Sequence, residues 1–411
     1  MSQSPNKKRA ILSWCLFDWA NSAFPTLILT FIFASYFTKA VAVNDILGTA
    51  QWGDAFGLAG LIIAIISPIF GAIADHEGRR KPWLLLFTII CIAASAMLWF
   101  TKPDPSDVSW ALTWMVIGTI GFEVGMVFYN AMLSDLVPQT HVGRLSGWAW
   151  GFGYFGGLVS LIIMLFVFQV NTTEEIRLTG PFAAVWFALF AWPLFRYTPD
   201  RIASGVSHKK CIERGLKSLF NTLLEAHKHK EVFKFLIARI LYIDGLNTIF
   251  AFGGIYAAGT FGMSFSQIIA FGIAMNIAAG IGAIAFAWMD DLKGSKPTLI
   301  VSLLIMIVCG SAMLTVHSQT LFWVFGLGLS LCVGPTQAAS RSLLIRLSPK
   351  HLITGMFGLY AFSGKATSFL GPWILASITL AFNSQRIGMS TVIVFLALGA
   401  ALLWFVKEHD Q

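Results

Sequence analysis

Twelve stretches of mainly apolar residues, each about the 20 residues needed to cross a bilayer as a helix, leave this chain few ways to fold. They lie near 11–38, 51–74, 82–101, 110–134, 143–169, 180–196, 233–258, 264–289, 297–316, 320–346, 353–382 and 386–406. Hydrocarbon offers no partner for exposed backbone groups, so a stretch of this kind must bond within itself as a helix. The expected class is an all-α integral membrane protein with the lipid bilayer as its main partner. Composition agrees: 12% of residues are charged, against about 25% in soluble domains, and the mean hydropathy is +0.73. The 36 Phe and 15 Trp suit lipid-facing surfaces and interfacial belts. Lys7, Lys8 and Arg9 precede an apolar stretch too long for a cleavable signal peptide. Cys15, Cys91, Cys211, Cys309 and Cys332 show no paired spacing and read as packing residues.

The connections are short except 197–232, which is polar and carries Lys209, Lys210, Arg214, Lys217, Lys228 and Lys230. It divides the chain into a six-helix bundle over 1–196, a connecting loop over 197–232 and a second six-helix bundle over 233–411. Of the 28 Lys and Arg, only Lys39, Lys102, Arg177 and Arg386 fall on one side of the expected membrane, and Arg341 and Lys365 sit within helices. The positive-inside rule then places both termini in the cytoplasm of a cell membrane. The net charge of +8 is a topology signal with affinity for anionic lipid. No basic cluster belongs to a soluble fold, so nucleic acid is not an expected partner.

Two polar interruptions repeat. The first helix holds Asp18-Trp19-Ala20-Asn21-Ser22-Ala23-Phe24, and the seventh holds Asp244-Gly245-Leu246-Asn247-Thr248-Ile249-Phe250. A charge at membrane depth costs about 2.5–3.5 kcal/mol on insertion scales, so it marks function by default. The connection after the second helix reads Gly71-Ala72-Ile73-Ala74-Asp75-His76-Glu77-Gly78-Arg79-Arg80-Lys81-Pro82, and its counterpart reads Asp290-Asp291-Leu292-Lys293-Gly294-Ser295-Lys296-Pro297. In both, an acid is followed three residues on by Gly and then by a base and Pro. Recurrence at matching places in the two halves favours a gating element over two ordinary charged turns. The fourth and tenth helices echo each other more loosely, through Tyr129-Asn130-Ala131 with Asp135 and Pro138, and Gln337-Ala338-Ala339-Ser340-Arg341 with Pro349. Such a parallel repeat relates the two bundles of major facilitator transporters.

On these residues, and above all on the run from Gln337 to Pro372 with Phe357-Gly358-Leu359-Tyr360-Ala361-Phe362-Ser363-Gly364-Lys365, the chain resembles the autophagy-related vacuolar effluxer-like family of the major facilitator superfamily, in a compact bacterial form. The resemblance implies the major facilitator fold, twelve transmembrane helices in two six-helix bundles. The vacuolar members of the family export amino acids. The loop at Asp75 is similar to the superfamily's signature but has His76 where a base is usual. The patterns linked with proton coupling in the fourth helix and with antiport in the fifth are missing or broken.

In this superfamily the first, fourth, seventh and tenth helices line the central cavity. The expected substrate or ion pathway is therefore Asp18, Asn21, Glu123, Tyr129, Asn130, Asp244, Asn247, Gln337 and Arg341, joined by Lys365 from the eleventh. The expected gate is Gly71, Asp75, Gly78, Arg79, Arg80, Asp291, Gly294 and Lys296. Duller readings stand beside these. Asp18 can be a structural pair, Asn21 and Asn247 can be interhelical glue, and Arg341 can snorkel to the interface. Arg239, near the start of its helix, is expected to snorkel. Lys365, about mid-membrane, needs a carboxylate such as Asp18, Glu123 or Asp244.

Mixed acids and bases suit a small zwitterionic solute such as an amino acid, moved by alternating access and coupled to a proton or cation through carboxylates, since the histidines lie in loops or at helix ends. A sugar, peptide or drug is the alternative cargo, and a receptor or scaffold the alternative class. An enzyme is not expected: no His-Glu-x-x-His, Gly-x-Ser-x-Gly or phosphate-binding glycine loop is present. No cofactor or metal is expected, and the protein is expected to work as a monomer.

Overall fold

The computed structural model describes residues 5–168, 173–205, 208–224 and 226–408. Its described residues contain twelve helices long and apolar enough to cross a membrane. In chain order these spans are α1 (Lys7–Val41), α2 (Ile46–Glu77), α3 (Lys81–Phe100), α4 (Pro105–Leu136), α5 (Gln139–Val167), α6 (Thr173–Tyr197), α7 (Lys230–Phe261), α8 (Gln267–Lys293), α9 (Ser295–Thr315), α10 (Gln319–Leu347), α11 (Ile353–Phe382) and α12 (Gln385–Trp404). One element was not expected. The connection between α6 and α7 holds a further helix, His208–Leu224, which packs against α2.

The first six spans form one bundle, in which α3 packs on α4 and α6, and α1 on α5 and α6. The last six form the other, in which α12 packs on α7, α9 and α11. The bundles meet along two seams, α2 against α11 and α5 against α8, with α10 crossing to α5 beside the second. Close approach at the first seam depends on Gly71, where a side chain would come within 2.5 Å of the Thr354 carbonyl oxygen. Small residues at such crossings are how helices pack where lipid supplies no hydrophobic drive.

Two spans are irregular where polar residues gather. In α1, regular helix ends at Asn21, and Pro25, which lacks an N–H to donate, leads into wider π-helical turns over Phe24–Phe31. In α11, helix runs over Ile353–Lys365, loosens into turns over 366–369 and resumes at Leu370. Non-helical backbone at membrane depth is tolerated only where protein or a watered cavity satisfies it. The break in α1 borders the candidate site, and the break in α11 lies beside Asp244.

Candidate translocation site and gate

Arg341 is the centre of the buried polar contacts. It is 1% exposed, so the expectation that it might snorkel does not hold. Its guanidinium donates to Ser146 Oγ (2.9 Å) and to the Ser146 carbonyl (2.7 Å) on α5, and to Asn130 Oδ1 (3.1 Å) on α4. It also lies 3.4 Å from Asp18 Oδ2 on α1. Asn21, one turn on, donates to the other Asp18 oxygen at 3.4 Å. The aromatic rings of Trp14, Tyr129 and Trp150 stand within 5.0–5.8 Å of the guanidinium. A buried charge pair survives only when its remaining hydrogen-bonding capacity is met, and here three helices of the first bundle meet that of one arginine from the second. Tyr129 is held from behind by stacking on Trp14 at 4.5 Å and by donating to the Trp14 carbonyl at 2.9 Å.

Above this contact lies a cavity of about 440 Å³. Asp18, Asn21, Gln337 and Tyr154 give it a polar floor, and Phe31, Phe122, Phe250, Phe271 and Phe322 are among its walls. The Tyr154 hydroxyl donates to Gln337 Oε1 at 2.7 Å, joining the bundles a second time. Its floor lies near mid-span, and the lining residues of α7, α8, α9 and α12 come from the halves of those spans remote from the chain termini. Of the ten expected pathway residues, Asp18, Asn21 and Gln337 line the cavity, whereas Glu123, Tyr129, Asn130, Asp244, Asn247, Arg341 and Lys365 do not. Tyr129, Asn130 and Arg341 lie behind the floor because their polar atoms are used by one another and by Ser146 and Trp14.

Lys365 meets Glu123, with Nζ 2.6 Å from Oε1, at a half-buried pair linking α11 to α4. Its ammonium also faces the Phe56 ring of α2 at 5.4 Å. Asp244, 1% exposed on α7, is different. No well-formed hydrogen bond reaches either of its carboxylate oxygens, and the neighbouring hydroxyl is Thr367, in the loosened part of α11. Asn247 is half-buried one turn further on. Arg239 does not snorkel. It is 7% exposed, lies 3.4 Å over the Tyr360 ring and donates to the Tyr360 carbonyl and Ser363 Oγ, both at 2.7 Å. The aromatic face and the carbonyl replace the water that snorkelling would have sought.

At the face bearing the termini, the two recurrent loops form matching latches. Asp75, at the end of α2, accepts from the backbone N–H groups of Thr354 (3.1 Å) and Gly355 (2.7 Å), which open α11 in the other bundle. Asp291, at the end of α8, accepts from the Arg144 backbone N–H (3.0 Å) near the start of α5, with the Arg144 Nε at 3.2 Å. A carboxylate at a helix N-terminus satisfies orphan donors and the helix dipole together. Each bundle thus caps a helix of its partner. Gly78 (φ 88°) and Gly294 (φ 96°) turn the chain sharply just beyond the acids, in a region that side chains disfavour.

The bases expected at the gate differ in what they touch. Arg80 is buried and bonds Thr354 Oγ1 (2.9 Å), the Ala131 carbonyl (2.8 Å) and Asp135, with Asp75 at 3.9 Å. Arg79 is exposed and joins none of this. Lys296 reaches the Trp404 carbonyl (2.8 Å) instead, and Arg346 is the base of the second latch, at 3.2 Å from Asp290 and 3.0 Å from Glu408. Asp135 and Arg346 were missed as a pair. They stand five residues after Asn130 and Arg341 and three before Pro138 and Pro349, a spacing that could have shown them.

The family model described as "Vacuole effluxer Atg22 like" matches residues 54–410. An MFS-type transporter of Bacillus subtilis, YxiO, is 29% identical over 97% of this chain and 95% of its own length. Among solved structures, the human organic anion transporter MFSD10 superposes with a TM-score of 0.78 at 15% identity, over 98% of this chain and all of that one. The proton:xylose symporter XylE superposes with a TM-score of 0.73 at 16% identity, over 98% of this chain and 95% of that one. The similarity to these two solved structures establishes the major facilitator fold.

Proposed function

We propose that this chain, which belongs to the vacuole effluxer Atg22-like family, moves an amino acid with an apolar side chain across its membrane by alternating access. That it is an MFS-type transporter, and not an enzyme, follows from its family and fold; the solute is our reading. The observation that carries it is the cavity between the bundles. Its floor offers the Asp18 carboxylate to an ammonium group, with Asn21, Tyr154 and Gln337 as hydrogen-bonding partners for the rest of a polar head. Its phenylalanine walls offer an apolar surface to a side chain. The vacuolar relatives' trade in amino acids supports the same cargo.

Alternation would use the two seams. Both latches are engaged at the face bearing the termini, so that face is closed while the cavity extends from mid-span into the opposite half. The excess of Lys and Arg on this face supports its being cytoplasmic, in a cell membrane. Release of Asp75 and Asp291 from the capped helices would let the bundles rock and present the floor to the other side. One chain forms the whole cavity, which supports a monomer. A proton or cation would be coupled through the carboxylates Asp18, Glu123 and Asp244.

The test is counterflow in proteoliposomes, with labelled leucine and phenylalanine set against a sugar, a dipeptide and an aromatic carboxylate. We expect exchange of the two amino acids alone, lost in Asp18→Asn when equal amounts of folded protein are reconstituted. Exchange of the carboxylate instead would favour an organic anion, a cargo that the phenylalanine walls also suit. Flux with and without a pH gradient tests proton coupling.

A further inference from the structure

The helix His208–Leu224 between the bundles carries three distinct stripes. The first faces α2. Cys211 is buried there, and a side chain at Gly215 would come within 2.8 Å of the Ile73 backbone. The second holds Ile212, Leu216 and Phe220, spaced four apart and 46%, 44% and 62% exposed. The third holds Lys210, Arg214, Lys217 and Asn221, all exposed. A helix with one apolar and one basic free stripe suits the boundary between headgroups and acyl chains.

Its place in the fold agrees with that position. Ile73 stands four residues inside the end of α2 at Glu77, about 6 Å along that helix at 1.5 Å per residue. Further along, Ser218 and Leu219 border a narrow cleft whose far side is Gly355, Met356 and Leu359 of α11. Leu359 is six residues inside the start of α11, about 9 Å along it. The helix therefore lies beside the seam between α2 and α11, within about two turns of the ends of both spans. Beside it opens a hollow bordered by His76, Arg214, Lys217, Asn221 and His351. Among the described residues that line the hollow, Asp75 is the one acid, and its carboxylate is occupied by the α11 backbone.

We propose that this hollow holds the phosphate of an anionic phospholipid, whose acyl chains lie along Ile212, Leu216 and Phe220. Bound there, the lipid ties the connecting helix of the first half to the α10–α11 turn of the second, next to the Asp75 latch. The site is independent of the cargo assigned above, and its test needs no flux.

The full chain is reconstituted in nanodiscs of phosphatidylcholine with and without phosphatidylglycerol, and followed by melting temperature and by native mass spectrometry after extraction. Phosphatidylglycerol should raise the melting temperature and remain bound through extraction. In the variant Lys210→Gln/Arg214→Gln/Lys217→Gln, retention should fall at least about tenfold, given roughly 1 kcal/mol for each base near an anionic surface. Its melting temperature in detergent should be unchanged, showing that the fold is intact. The variant Ile212→Ser/Leu216→Ser/Phe220→Ser should lose retention with the bases in place. A wild-type chain indifferent to phosphatidylglycerol would overturn the proposal, as would equal retention by the triple-Gln variant. Inorganic phosphate that stabilises the protein in detergent, with no effect of phosphatidylglycerol, would show a free-anion site instead and overturn the lipid assignment.

Discussion

Asp18 and Asp244 occupy the same place in the same seven-residue pattern, yet Asp18 faces a buried arginine and an amide, while among the described residues no ion pair reaches Asp244. Asp18 faces Arg341, which is itself fixed by Ser146 and Asn130. Asp244 is equally buried, with Thr367 as its polar neighbour. The spacing to Pro138 and Pro349 explains the difference. The position on α4 that matches Arg341 on α10 is Asn130, so the first half has no arginine there to offer Asp244. The latches behave the other way. Both halves keep an ion pair there but exchange its charges: Arg80 of the loop meets Asp135 of α4, and Asp290 of the loop meets Arg346 of α10. The repeat preserves helix positions and close crossings, and charge has been redistributed upon it. At the gate a swapped pair still closes; at the centre a lost partner leaves an asymmetric site.

The largest effect should come from breaking the supported side. Arg341→Met removes the common partner of Ser146, Asn130 and Asp18 and leaves Asp18 buried without its cation, a loss of about 3–5 kcal/mol. We expect transport to disappear and the melting temperature in detergent to fall steeply. Asp18→Asn should fall nearly as far, because it strands the guanidinium. The double variant Asp18→Asn/Arg341→Met should recover most of the stability and none of the transport. A melting temperature unmoved by Arg341→Met would refute the central role given to this residue.

Next in size are the latches. Asp75→Asn and Asp291→Asn each weaken the cap on a helix of the other bundle, worth about 1 kcal/mol, or roughly fivefold in the balance between closed and open faces. Cysteines placed on the closed face should then react faster with a membrane-impermeant maleimide. Equal acceleration in the two variants is expected from their matching geometry. Acceleration in Asp75→Asn alone would show that the α2–α11 seam controls opening. A smaller change is expected at Glu123 and Lys365, where side chains 25% and 18% exposed limit the pair to about 1 kcal/mol or less. Glu123→Gln should barely shift the melting temperature, and a flux defect in it should be rescued by the exchange Glu123→Lys/Lys365→Glu.

Much of this could be read without coordinates. Hydrocarbon forces helices, so twelve apolar stretches meant twelve spans, and the recurrent loops announced the latches because a carboxylate and a glycine at fixed spacing can end one helix and cap another. Side-chain direction could not be read. Arg341 and Arg239 were open to snorkelling because sequence gives a residue's height in the membrane and not the face it turns toward; Ser146, Asn130 and the Tyr360 ring are what hold them inside. Lys296 was assigned to the gate by position, although the nearby Trp404 carbonyl draws it to α12 and the longer, forked Arg346 reaches Asp290 and Glu408 together. The connecting helix lay within a stretch read as a basic loop, and its three stripes emerge only once α2 is known to cover one of them.

The smallest change is expected on the unsupported side, and it tests the comparison most directly. An ionised carboxylate buried without a donor is costly, whereas an amide of the same shape can bond to Thr367 and asks less of its surroundings. Asp244→Asn should therefore leave the melting temperature unchanged or raise it slightly, in contrast to the steep fall in Asp18→Asn. Flux then separates two roles for the acid. If Asp244 carries the coupled proton or cation, Asp244→Asn should still exchange solute down a counterflow gradient but should no longer accumulate it when a pH or sodium gradient is applied. Undiminished accumulation would remove Asp244 from coupling and leave Asp18 and Glu123 as the acids to test. A fall in stability equal to that of Asp18→Asn would show that a partner holds Asp244 in another conformation of the cycle, and that the asymmetry between the halves belongs to this conformation rather than to the chain.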